Sequence, residues 1–186
     1  MNVSLVAERY ANALFMLAIE KNAAEEVYAD AKVISAICKQ SRDLQLFLKS
    51  PVIHSDKKIK IIREIFASSI GPISLAYLLV MIRKRREKYI PEIACQVIEQ
   101  YKEYKNILTV YFKAPVAPDE GIRRKVLELM NHYTSANIEL VEEIEKNLIG
   151  GFVLTWKDKQ YDGSIKRQIE KLERGLARVN LYVKGF

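Results

Sequence analysis

The sequence predicts an α+β protein in two parts, an N-terminal six-helix bundle over residues 1–105 followed by a small α/β domain over residues 106–186. Three observations predict it. Apolar residues recur at three- and four-residue spacing through the first 105 positions. After Asn106 the pattern changes to short runs rich in β-branched and aromatic side chains. In the first part, Ser50-Pro51, Gly71-Pro72 and Pro91 fall at the ends of the helical stretches rather than inside them.

Each element follows in order. Val3, Val6, Ala7, Tyr10, Ala11, Leu14, Leu17 and Ala18 share one face of a first helix, and Val27, Ala31, Ile34 and Cys38 one face of a second. Leu44, Phe47 and Leu48 form a short third helix that ends at Ser50-Pro51, because the residue before a proline avoids helical dihedrals. Ser55 is placed to cap a fourth helix carrying Ile59, Ile62 and Phe66. Gly71-Pro72 interrupts the chain, and Pro72 suits the first turn of a fifth helix. Pro91 opens a sixth, with Val97, Ile98, Tyr101 and Tyr104 expected inward. Ile107–Lys113 then reads as a strand, and Ile122, Val126, Leu129 and Met130 as a helix face. Ile138–Leu140 and Phe152–Trp156 give two further strands. Asp162-Gly163-Ser164 turns the chain into a last helix holding Ile165, Ile169, Leu172 and Leu176.

Composition narrows the function. Hydrophobic residues make up 49% of the 186 and charged residues 28%, too apolar for a disordered chain. No run approaches the roughly 20 apolar residues that span a bilayer. The opening Met1-Asn2-Val3-Ser4 carries no basic and apolar leader pattern, so the chain is expected to stay where it is made. Cys38 and Cys95, far apart in helical patterns, are expected to be two reduced core thiols rather than part of a disulfide framework. The net charge of +7 is spread out: residues 1–105 hold 17 basic and 12 acidic side chains, and the one cluster is Arg83-Lys84-Arg85-Arg86. A nucleic-acid binder concentrates its charge more than this. The run Arg83–Lys88 is expected to prolong the fifth helix as a solvated, dipole-complementing end, with docking of an acidic partner or of phosphates as the alternative.

The most informative feature is a pair of segments apolar around the whole helix. Tyr10–Ile19 contains one clearly polar side chain, Asn12, and Ile73–Ile82 contains one, Ser74. A helix of this kind needs cover on every side. Either both lie inside the bundle, or they pack side by side and leave an apolar groove for an amphipathic helix of a partner. Tyr10 and Tyr77 suit the rim of such a groove, being apolar in body with a hydroxyl that tolerates water.

Catalytic chemistry finds little footing. His54 and His132 lack the spacing to further ligands that a metal site needs, so no metal is expected. Gly150-Gly151 lacks the rest of a phosphate loop, so neither is a cofactor. Glu139, Glu142, Glu143 and Glu145 alternate with apolar residues as the wet side of a strand or edge does.

Glu8-Arg9-Tyr10-Ala11-Asn12-Ala13-Leu14-Phe15 resembles the opening helix of the delta subunit of bacterial F-type ATP synthases, whose mitochondrial counterpart is the oligomycin-sensitivity-conferring protein. Leu48-Lys49-Ser50-Pro51-Val52-Ile53 with Lys57-Lys58 is similar to the family's third-to-fourth helix junction. The most specific stretch is Leu148-Ile149-Gly150-Gly151-Phe152-Val153-Leu154, continuing through Asp158 to Asp162-Gly163-Ser164-Ile165 and Leu172.

The resemblance implies a non-catalytic stator, present once per complex, on the cytoplasmic face of the bacterial plasma membrane without insertion into it. In that family the N-terminal domain binds an N-terminal helix of an α subunit on the catalytic head, and the C-terminal domain binds the b subunits of the peripheral stalk. Family groove residues match Tyr10, Ala13 and Val80; Leu14, Ala76 and Tyr77 are added from the same two apolar segments. Trp156, bulkier than the family pattern, and the apolar tail Leu181-Tyr182-Val183 form a candidate surface for the b subunits. Gly150, Gly151, Asp162, Gly163 and Ser164 are read as turn and cap residues. The competing reading from another class is a basic helical RNA-binding protein.

Overall fold

In the computed structural model, which describes residues 5–180, the chain divides into two compact units, Met1–Lys105 and Asn106–Phe186. The α+β class holds. Among the described residues the first unit contains α1 (Leu5–Glu20), α2 (Ala24–Gln40), α3 (Arg42–Lys49), α4 (Ser55–Phe66), α5 (Pro72–Arg83), a 3₁₀ turn (Glu87–Tyr89) and α6 (Ile90–Tyr104).

Local chemistry sets the helix ends. Ser41 Oγ accepts from the Leu44 N–H at 3.1 Å and starts α3. Pro72 sits at the start of α5, where its missing N–H costs nothing, while the Gly71 N–H donates to the buried Asp30 carboxylate at 3.0 Å. A side chain at Gly71 would run into Glu26 and Asp30. Asn106, just past α6, takes φ +53, the left-handed stop that asparagine tolerates better than most residues.

The core of this unit is one continuous apolar cluster. Ala7, Ala11 and Ala18 of α1, Ala31 and Ile34 of α2, Met81 and Ile82 of α5, and Ala94 and Val97 of α6 are all buried in it. Between α2 and α6 the rings of Tyr28 and Tyr101 stack at 4.1 Å.

Three local expectations are corrected. The residue preceding α4 is His54, whose side chain makes no capping bond, and Ser55 is already helical. Tyr104 is 58% exposed: as the last residue of α6 it shares the spacing of Val97 and Tyr101 but meets Phe15 edge-on at 5.8 Å instead of entering the core. The run Arg83–Arg86 does not prolong α5. The helix stops at Arg83, Arg85 turns the chain at φ +56, and Glu87 enters the 3₁₀ turn buried.

That burial has a cause. Lys58 of α4, 1% exposed, donates to Glu87 Oε1 at 2.6 Å and to the carbonyls of Ser50 at 2.7 Å and Leu48 at 3.2 Å. A buried ammonium survives only with its hydrogens matched in this way. The pair ties the end of α3, the start of α4 and the basic turn together.

The second unit runs β1 (Ile107–Ala114), α7 (Glu120–Tyr133), β2 (Asn137–Ile144), β3 (Val153–Trp156), β4 (Lys159–Asp162) and α8 (Ile165–Asn180). The sheet order is β2-β1-β3-β4, with β1 parallel to β2 and the other pairs antiparallel. Alternation along β1 buries Leu108, Val110, Phe112 and Ala114 on one face, where Leu154, Trp156 and the α7 residues Val126 and Met130 complete the core. On edge strand β2, Glu143 pairs with Lys113 at 3.1 Å and Glu142 with Arg123 at 2.6 Å. Strand β4 is absent from the sequence expectation, which ran from the third strand straight into the turn. Its four residues KQYD carry little strand propensity, and the connecting loop is Lys157-Asp158, with Lys157 at φ +48, where a hairpin signal would show Asn-Gly or Asp-Gly.

Candidate functional site

The two all-round apolar segments become most of α1 and α5, and neither is enclosed. On α1, Ala7, Ala11, Leu14, Phe15 and Ala18 face the core. Val6, Tyr10, Ala13 and Leu17, at helical spacing of three and four, form a second stripe that is half-buried or exposed. On α5, Ser74, Leu78, Leu79, Met81 and Ile82 are buried, while Ala76 is exposed, Tyr77 half-buried and Val80 47% exposed.

Tyr77 joins the two stripes. Its hydroxyl donates to the Tyr10 carbonyl at 2.8 Å, so its ring bridges the seam between α5 and α1. Burial pushes the Tyr77 hydroxyl pKa well up, and the nearby Tyr10 phenol adds to the shift. The group therefore stays protonated, and the donor that fixes the seam persists across the working pH range. At the end of the seam the Arg86 guanidinium lies 5.6 Å from the centre of the Tyr10 ring, a cation–π contact that brings one charge of the basic turn beside the apolar stripe.

The Tyr77–Tyr10 hydrogen bond thus joins α1 to α5; Ala13 stands one helical turn from Tyr10, and Ala76 and Val80 stand near Tyr77 on α5, all three exposed. Leu14 is corrected: it is 6% exposed and points inward, where it lines a small internal cavity with Val27, Ile34, Leu78 and Val97. Leu17, seven residues from Tyr10, belongs to the same exposed α1 stripe.

For the second unit, Trp156 is corrected as well. It is buried in the core, with Tyr133 6.0 Å away ring to ring, and offers no docking surface. Leu181, Tyr182 and Val183 lie outside the described residues.

The glycine-rich motif folds back on itself. Gly151 has φ +80, and a side chain there would collide with the Gly163 carbonyl. The Ile165 N–H donates to the Gly150 carbonyl at 3.0 Å and the Gly163 N–H to the Phe152 carbonyl at 2.9 Å. Asp162 Oδ1 accepts from the Ser164 N–H at 2.9 Å, and Ser164 Oγ accepts from the Arg167 N–H at 3.3 Å, closing the first turn of α8. Hydrogen bonds from the Ser164 side chain, and then from its backbone, hold the Asp162 carboxyl below its ordinary 3.8. Two segments eleven residues apart are knitted into one knot.

A family model described as "ATP synthase delta (OSCP) subunit" matches residues 6–176, taking in both the seam and the knot. The chain belongs to that family. It is 34% identical over 177 residues to ATP synthase subunit delta of Christiangramia forsetii, covering 95% of each chain. The identity is 28% to ATP synthase subunit delta of Chloroherpeton thalassium, over 95% of this chain and 96% of that one. The fold is similar, with a TM-score of 0.71 and 21% identity, to a chain in the cryo-EM structure of the Toxoplasma gondii mitochondrial ATP synthase hexamer, covering 94% and 98% of the two chains. Membership makes this a structural stator subunit of an ATP synthase rather than a catalytic one. Among the described residues no helix is long and apolar enough to cross a membrane.

Proposed function

We propose that the chain links the catalytic head of an ATP synthase to its peripheral stalk, with the α1–α5 seam as receptor for an N-terminal helix of an α subunit. The observation that carries this reading is an apolar stripe on each of two helices, Tyr10, Ala13 and Leu17 beside Ala76 and Val80, left open to solvent and fixed by the Tyr77–Tyr10 hydrogen bond. Surfaces of this kind take the apolar face of an amphipathic helix. The second unit holds the b subunits of the stalk, the complex carries one copy, and the assembly sits on the cytoplasmic face of the bacterial plasma membrane.

A stator must resist torque without slipping, so it needs slow dissociation rather than turnover. Burying about 700 Å² of apolar surface at roughly 25 cal/mol/Å² gives a gross gain on the order of 17 kcal/mol. Lost rigid-body freedom and ordering of the partner helix remove much of it and leave binding near the nanomolar range. Because apolar burial dominates, affinity changes little with salt, whereas binding to nucleic-acid phosphates would fall steeply. The test is a pull-down of the intact chain from membranes solubilised at low and high salt. Recovery of α, β and b subunits at both supports the reading; recovery of RNA without them overturns it.

A further inference from the structure

Cys38 and Cys95, fifty-seven residues apart in the sequence, are not separate in the fold. Both are free thiols, Cys38 buried and Cys95 half-buried. Both line one open cleft of about 250 Å³ between α2 and α6, together with Ser35, Lys39, Gln45 and Glu92. Cys95 Sγ lies 3.5 Å from Ser35 Oγ, and Ser35 sits one helical turn before Cys38 on the same face of α2. The geometry points to an oxidative modification site: Cys38 and Cys95 form a reversible intramolecular disulfide, through reaction with a hydroperoxide, that staples α2 to α6.

Exposure orders the steps. Cys95, the more exposed of the two thiols, attacks one peroxide oxygen; the O–O bond breaks, water leaves, and the sulfur, oxidised by two electrons, becomes a sulfenic acid. Cys38 sulfur then attacks the Cys95 sulfur, the S–O bond breaks as the S–S bond forms, and the Cys38 proton leaves with the hydroxide as a second water. Two thiols and one hydrogen peroxide thus give one disulfide and two waters. Cys38 is the less suited of the two to the first step and loses its proton only as its sulfur attacks in the second. Burial, with the Cys95 charge adding to it, raises its pKa to about 11, so at neutral pH it is a protonated thiol and a poor first nucleophile. The bond would tie helices already held by the Tyr28–Tyr101 stack at 4.1 Å.

The experiment treats the full-length chain with stoichiometric hydrogen peroxide, followed by thiol titration, intact mass and peptide mapping. The expected result is a mass lower by two hydrogens, no titratable thiol, a Cys38–Cys95 cross-linked peptide, recovery of both thiols with dithiothreitol, and a higher melting temperature of the oxidised form. In Cys38→Ser, or Cys38→Ala should the serine variant fail to fold, Cys95 should stop at a sulfenic acid that dimedone traps. In Cys95→Ser the remaining thiol should resist peroxide in the folded chain. Persistence of both thiols, a cross-link only between chains, or a Cys38–Cys95 bond that forms only in urea would each overturn the proposal.

Discussion

The α1–α5 seam and the knot around Gly151 use their side chains in opposite ways. In the knot, Gly150, Phe152, Asp162, Gly163 and Ser164 spend their polar groups on one another within one unit. On the seam helices, Ala13, Ala76 and Val80 leave apolar surface exposed among the described residues. The difference separates motif from site. The glycine motif closes a turn, while the exposed apolar surface of α1 and α5 consists of ordinary alanines and a valine recognisable only by what they leave exposed. Substitutions should therefore divide into those that unfold and those that only weaken binding.

The largest effect is expected where fold and seam share a support. Lys58→Met leaves the Glu87 carboxylate and two carbonyls without their ammonium, so the first unit should lose about 3–5 kcal/mol in denaturant melts. The basic turn, with Arg86 on Tyr10, should loosen along with it. Next comes Gly151→Val, which forces a β-branched residue to φ +80 and a side chain into the Gly163 carbonyl. A loss of about 3 kcal/mol, confined to the second unit and leaving peptide binding at the seam intact, would sharpen the contrast. Ser164→Ala removes the cap of α8 and should cost about 1 kcal/mol in the same unit.

The smallest effect is one of pH. Because Asp162 titrates below 3.8 in the folded chain, its contribution to stability is complete above that value and is lost as the pH falls through the lower folded value. Asp162→Asn should flatten the acid limb of the second unit's melting curve and leave the neutral range nearly unchanged; an unaltered acid limb would break this part of the account.

Much of the fold is legible in the sequence because it rests on local signals. The change of period at Asn106, the ILTVYFK strand and the Gly71-Pro72 break each act over a few residues. What escapes the sequence depends on distant partners. Glu87 reads as one more charge in a basic run until Lys58, twenty-nine residues earlier, claims it. Cys38 and Cys95 line one cleft only because α2 packs on α6. Tyr101 and Tyr104 look alike by spacing, yet one is buried and the other exposed. The candidate site was half legible: the apolar stripes of α1 and α5 show which helices matter, but the inward turn of Leu14 and the burial of Trp156 are decided by packing.

The central claim is that the seam binds a helix. Calorimetric titration of the full-length chain with a peptide of the α-subunit N-terminal helix tests it most directly. Binding near the nanomolar range is expected, with Tyr10→Asp and Val80→Asp each weakening it by about 30-fold or more in chains that stay folded. Wild-type affinity in both folded variants would contradict the account.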